Sequence, residues 1–196
     1  MTSIGQAKTI EQQKTGWKLD PTHSSIEFSA KHLVVSTVKG RFGSFEVTLD
    51  ANEESPELSA LAVRIDAGSL ETHDAQRDAH LRSADFLDVE RHPAITFASR
   101  AILKKDERRF TLVGDLTIRD VTREVALDGT FEGLVNDPWG GQRAGFSAST
   151  VINRKDFGLT WNMALEAGGV LVGENIKIAI EVELAKAPLA AGAAEK

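Results

Sequence analysis

Between residues 175 and 184 the chain reads NIKIAIEVEL, with Ile176, Ile178, Ile180, Val182 and Leu184 alternating with Lys177, Ala179, Glu181 and Glu183. A strand has a period of two residues, so this stretch is a ribbon with one apolar and one wetted face. The same alternation recurs upstream. Ile26, Phe28 and Ala30 share one face, and Leu61, Val63 and Ile65 stand against Ala62, Arg64 and Asp66. Between these, Val38 and Phe42 keep one phase while Phe45, Val47 and Leu49 keep the other. Gly43 sits at the change, as in a bulge or bend. Residues 94–105, 109–120, 121–134 and 143–154 complete a set of about eight strands, most of them chain neighbours, which predicts an antiparallel meander.

One segment, 72–86, reads as helix, with Thr72 and Asp74 as possible caps and helix formers through Leu81. Residues 32–38 and 154–158 each suggest a short turn, and NDPWGG at 136–141 suggests a long loop. A single helix does not cover such a sheet, so the sheet either stacks as a sandwich or closes on itself. A closed eight-stranded barrel is wide enough to be filled by its own side chains or to hold one small ligand. Ala144, Ser147, Ala148 and Ser149 surround Phe146 with little bulk, which suits a hollow interior. A packed sandwich core uses the same residue types, so the pattern leaves both open.

At 196 residues the chain is long enough for one domain with a real core. Its net charge of -6 suits neither nucleic acid nor an anionic surface. The absence of cysteine excludes disulfides, thiolate metal sites, iron–sulfur clusters and thiol nucleophiles. Residues 1–16 form a polar leader without the apolar run of a signal peptide, and 187–196 an Ala-rich tail expected to be disordered. No stretch approaches the roughly 20 apolar residues of a membrane helix, so the expectation is one barrel or sandwich domain over 17–186 in the cytoplasm. Nine Phe, three Trp and no Tyr leave nearly every ring without a hydroxyl. That suits a carbon-rich ligand, or an ordinary core.

Catalytic signals are thin. His73 and His80 are seven apart; in one helix that is about 10.5 Å along the axis, too far to share a metal. Asp74, Asp78, Arg77 and Arg82 read as a solvated helix face. His92 precedes Pro93 at a strand entrance, a structural position, and His23 and His32 bracket the first long strand. Ser24, Ser25 and Ser36 lack any nucleophile motif, and no phosphate or dinucleotide loop is present. No catalytic residue, metal or cofactor is assigned.

Four motifs carry a resemblance: 31–49 (KHLVVSTVKGRFGSFEVTL), 65–97 (IDAGSLETHDAQRDAHLRSADFLDVERHPAITF), 112–127 (LVGDLTIRDVTREVAL) and 146–161 (FSASTVINRKDFGLTW). In this order, from Trp17 to Leu184, the chain resembles the YceI-like proteins. The resemblance implies an all-β fold: an extended eight-stranded antiparallel β-barrel, lipocalin-like, with one short helix near 73–82. It also implies a pore that holds a polyisoprenoid chain, such as a polyprenyl phosphate or a quinone tail. Phe28, Phe42, Phe97, Phe131, Phe146, Ala148 and Ile178 are then expected to line the pore. Headgroup candidates are Arg77, His80 and Arg154, with Arg77 and Arg154 foremost because guanidinium grips phosphate at two points. Acidic neighbours, Asp74 and Asp78 for Arg77 and Asp156 for Arg154, make ion pairs the alternative role.

Two features depart from the family pattern. Asp120 replaces a Gly in the 118–121 hairpin, where Asp tolerates the left-handed conformation. Many relatives are exported, whereas this chain shows no export signal. The partner implied is a lipid, without nucleic acid or a transmembrane segment, and the protein a monomer or homodimer. The alternatives are an enzyme acting on a hydrophobic substrate inside the barrel, and a protein-interaction or stress module.

Overall fold

The computed structural model describes residues 16–33, 35–52, 54–164 and 171–186; apart from Gly16, the expected leader and tail lie outside them. Among these residues eleven strands and one α-helix follow in chain order. They are β1 (Trp17–Leu19), β2 (Ser25–His32), β3 (Ser36–Phe42), β4 (Phe45–Asp50), β5 (Ala60–Asp66), β6 (Leu70–Glu71), α1 (Ala75–Arg82), β7 (Ala94–Lys104), β8 (Arg109–Ile118), β9 (Val121–Asn136), β10 (Gln142–Asn153) and β11 (Val172–Lys186). All pair antiparallel in the order β4-β5-β7-β8-β9-β10-β11-β2-β3-β6, with β1 added on β11.

The sheet comes back to its own start. β3 and β4 are two halves of one bent strand, and β6 continues the line of β5, so Phe42 pairs with Leu70 and Phe45 with Ile65. Across the bend, Gly43 N–H donates to the Ser69 carbonyl at 3.1 Å and Asp66 N–H to the Ser44 carbonyl at 3.0 Å. A single turn of 3-10 helix at Ala67–Ser69 takes up the extra length opposite Gly43. The phase change at Gly43 is therefore a bulge that keeps Phe42 and Phe45 both partly buried against the core. Counting β3 with β4 and β5 with β6 gives eight long strands; the eleven arise from that bend and from the short β1.

Three register shifts interrupt the ladders: between Ser99 and Ala101 of β7, between Gly145 and Phe146 of β10 against β9, and between Val172 and Ile176 of β11 against β2. Tight connections close the hairpins. The 119–120 loop has its left-handed residue at Arg119 (φ 55), so Asp120 does not carry that role. Residues 137–141 form a compact turn rather than a long loop: the Asp137 carboxylate accepts from the N–H of Trp139 (2.9 Å) and of Gly141 (2.8 Å).

Of the two expected caps, Asp74 is the N-cap, accepting from Arg77 N–H at 3.0 Å, and His73 stands before it at φ 62. His73 and His80 therefore do not share a helix, and the helical spacing does not apply to them. The charged face of α1 is solvated only in part: Asp74 is exposed, but not its neighbours one turn on. Asp78 is buried and accepts from the Thr72 N–H (2.8 Å) and hydroxyl (2.5 Å), while Arg82 donates to the Gly68 carbonyl at 2.9 Å. These bonds satisfy the backbone where β6 ends, so they fasten α1 across one end of the barrel. Beside it, the 3-10 turn Arg154–Phe157, ended by left-handed Gly158, buries Phe157.

Candidate functional site

Alternate side chains of the long strands point inward. On β11 these are Ile176, Ile178, Ile180, Val182 and Leu184, the apolar face of the sequence's most regular ribbon. The inward face does not meet across the middle. It bounds an apolar cavity of about 1270 Å³ that runs from the α1 end to the rim formed by the 51–52, 56–59, 104–109 and 131–142 segments. Ile65, Ile95, Leu116, Ile118, Ile152, Phe157 and Leu159 belong to a buried core toward the α1 end.

Three glycines explain why Phe-rich walls leave open space. Gly40, Gly114 and Gly129 sit in strands, and a Cβ added at each would stand 2.4, 2.4 and 2.3 Å from ring atoms of Phe28, Phe97 and Phe110 respectively. Phe28 is the cross-strand partner of Gly40, and Phe110 that of Gly129. Each ring occupies the space over bare backbone that a Cβ would otherwise take. Sequence reasoning passed over these glycines; the readable signal was a Gly in the inward phase one strand from a Phe.

The seven expected lining residues, Phe28, Phe42, Phe97, Phe131, Phe146, Ala148 and Ile178, all border this cavity. Phe28 and Phe42 are in ring contact at 5.4 Å, as are Phe131 and Phe146 at 5.3 Å. Ala148 lies between Gly129 and Ile180, so the wall is thin at that level.

Arg77, His80 and Arg154 also border the cavity, together at the α1 end. Arg77 donates to the Thr72 hydroxyl (2.7 Å) and carbonyl (2.8 Å), with Asp74 at 3.9 Å. His80 packs edge-on against Trp161 (4.5 Å) and Phe86 (5.1 Å), and its Nε2 meets Asp85 at 2.9 Å. Arg154 is 2% exposed and donates to the carbonyls of Gly173 (3.0 Å), Leu159 and Val172 (3.4 Å). Among the described residues it makes no ion pair with a carboxylate, so the expected partner Asp156 does not pair with it. Lys155 takes Glu174 instead, at 2.5 Å. Burial pulls the Arg154 guanidinium below its usual value, opposed by the nearby Glu174 charge.

Elsewhere, titratable groups pair with one another at the ends of strands. His92 sits between Asp120 (3.3 Å) and Asp88 (4.0 Å) at the start of β7. Asp20, His23 and Glu183 bring ligand atoms within 4.8 Å of one another, but the Arg143 guanidinium lies among them, 2.6 Å from Asp20 and bonded to Glu183. That cation, ahead of His23, holds the Asp20 carboxyl well below the usual range, and the two carboxylates raise Arg143 in turn. The cluster ties β1 to the barrel and was not visible in sequence. Ser24 Oγ accepts from Glu183 N–H and Ser36 Oγ donates to the His32 carbonyl; neither meets an imidazole among the described residues.

The molecule is thus an antiparallel β-barrel built around an elongated apolar cavity, with a polar cluster at one end. Comparison with known proteins agrees. The YceI-like domain family matches residues 17–184, and the chain belongs to that family. A UPF0312 protein of Staphylococcus epidermidis is 40% identical, covering 86% of this chain and 96% of its own length. One from Pectobacterium atrosepticum is 43% identical over 83% of both. Among solved structures, the YceI protein of Campylobacter jejuni is similar with a TM-score of 0.68 and 31% identity, covering 80% of this chain and 90% of that one. A polyisoprenoid binding domain from Saccharophagus degradans has the same fold at a TM-score of 0.66, with 14% identity and coverage of 88% and 99%. Among the described residues, no helix is long and apolar enough to cross a membrane.

Proposed function

We propose that this protein binds a polyisoprenoid amphiphile, a polyprenyl phosphate or quinone-like lipid, inside the barrel as a carrier or sequestering protein. The observation that carries the reading is the continuous apolar cavity of about 1270 Å³, kept open by rings laid over glycines. Its volume exceeds the roughly 300–1,000 Å³ of ordinary ligand sites, and its elongation suits a chain better than a compact substrate. Each isoprene unit carries five carbons, so at about 0.8 kcal/mol per buried carbon it contributes up to roughly 4 kcal/mol before ordering costs. A tail therefore binds without hydrogen bonds. The likeness to a fold described as polyisoprenoid binding supports the same ligand class.

Phe28, Phe42, Phe97, Phe131, Phe146, Ala148 and Ile178 are the proposed tail contacts, and Arg77, His80 and Arg154 the proposed head contacts. An Arg buried against carbonyls alone leaves a positive charge without a carboxylate, which favours an anionic or strongly accepting head nearby. No catalytic step is assigned. The test is organic extraction of the purified protein followed by mass spectrometry. A co-purifying isoprenoid lipid is the expected result; a barrel that is empty and takes up no polyprenyl lipid in vitro refutes the reading.

A further inference from the structure

The rim opposite α1 combines features the lipid-binding reading does not use. Leu58 before β5, Leu103 on β7, and Leu134, Val135 and Trp139 of the β9–β10 hairpin are all exposed there, Trp139 at 78% and Leu58 at 70%. Trp139 is presented by a turn whose N–H groups are fixed on Asp137, and its ring makes no ring contact among the described residues. Between these apolar tips lies the β7–β8 connection, Lys104, Lys105, Asp106, Glu107, Arg108 and Arg109. It holds four cations against two carboxylates in a chain of net charge -6, with Lys105 paired to Asp128 of β9 at 2.6 Å and Arg109 to Asp106 at 2.5 Å. The Asp106 carboxylate is folded back onto its own loop, held to about 2 by the N–H groups of Arg109 and Arg108 and the Arg109 side chain. Lys104 and Arg108 make no ion pair with a carboxylate among the described residues, and Arg108 instead bonds the carbonyls of Phe131 and Glu132. Leu134, Lys104, Arg108 and Arg109 also border the cavity, so the patch surrounds its opening.

We infer that this rim docks onto an anionic lipid bilayer. An indole and aliphatic tips with interspersed cations form the composition that settles at a headgroup boundary. Each basic residue near an anionic surface contributes about 1 kcal/mol, which offsets the long-range repulsion of a net-negative chain. The orientation has a consequence that rests on the lipid-binding reading. In a bilayer under the rim, a lipid points its head at the barrel and its tail away. Drawn along the barrel axis it enters head first, so the head arrives at Arg77, His80 and Arg154 and the tail trails past Phe97 toward Phe131 and Phe146. The distal end is fastened by α1 and Phe157.

The experiment is co-sedimentation of the full chain with phosphatidylcholine vesicles, with and without phosphatidylglycerol. The chain should bind the anionic vesicles and release with added salt. Val135→Asp with Trp139→Asp, and separately Lys104→Glu, should weaken binding roughly tenfold or more, while Val35→Asp at the opposite end should not. Absence of binding by the parent, or rim variants that bind as the parent does, overturns the proposal. The two readings fail separately. A lipid extracted from a protein that ignores vesicles leaves the cavity's function standing and sinks the docking. Vesicle binding by a barrel that never holds lipid does the reverse.

Discussion

Gly129→Ala is the sharpest probe of how the lumen is kept open. Gly129 is buried on β9 between Phe110 of β8 and Ala148 of β10. An added Cβ would stand 2.3, 2.4 and 2.8 Å from three atoms of the Phe110 ring. A ring is stiff, so the contact is relieved only by rotating it off the wall and into the cavity. Two effects compete. Removing a glycine from a strand stabilises by about 0.5–1 kcal/mol, whereas overpacking costs about 1–3 kcal/mol. The net expectation is a loss of roughly 0.5–2 kcal/mol, read by urea denaturation, with an unchanged slope because the unfolded surface is the same. Binding should change more than stability, since the displaced ring obstructs the tail's path. Polyprenyl ligands of increasing length, measured by competition, should show the variant losing long chains first. Pairing Gly129→Ala with Phe110→Leu should restore both. As a control, Gly43→Ala adds a Cβ 3.6 Å from the Ser69 carbonyl, an ordinary contact, and should be near neutral. If Gly129→Ala binds long chains as the parent does, the bore is not set by rings resting on glycines.

Other outcomes follow from the same geometry. Ala148→Trp fills the thin wall, and should cost about 1–3 kcal/mol while abolishing lipid content in a protein that still folds; unchanged lipid content argues against a tail at that level. Arg154→Ala removes the donors to the carbonyls of Gly173 and Leu159, at about 1–3 kcal/mol for each one left unsatisfied, while the Val172 carbonyl keeps the Asn162 side-chain amide at 2.7 Å. Arg77→Ala should cost less and weaken a polyprenyl phosphate more than the same chain without its head. Equal effects on the two ligands exclude Arg77 as a head contact. Asp20 has a depressed folded pKa, so its contribution is complete above the unfolded carboxylate value of about 3.9 and is lost as pH falls below it. Parent stability should therefore drop more steeply than that of Asp20→Asn between about pH 4 and 3, and parallel curves refute the link through Arg143.

Much of this protein was legible in one dimension because a strand writes its faces on alternate residues. The ribbon from Ile176 to Leu184 declared its apolar side, and Phe28, Phe97 and Phe146 fell on the inward phase of their own segments. Even the bulge at Gly43 announced itself as a change of phase. What the alternation leaves open is whether two apolar faces meet or enclose a space. That depends on sheet closure, which joins β3 to β6 over long sequence separations, and on which ring lies over which glycine. Polar residues were harder still. Asp78 reads as a wetted helix position by charge alone, yet it is buried because Thr72 offers it two donors at a strand end. Arg154 has an acidic neighbour two residues away and ignores it for three carbonyls, one at Leu159 and two on β11. Arg143 finds Asp20 from 123 positions away. Hydrophobic period is a local property set by the backbone's own geometry, so the sequence carries it openly. The partner of a charge is decided by distance in space, and only the folded barrel supplies that.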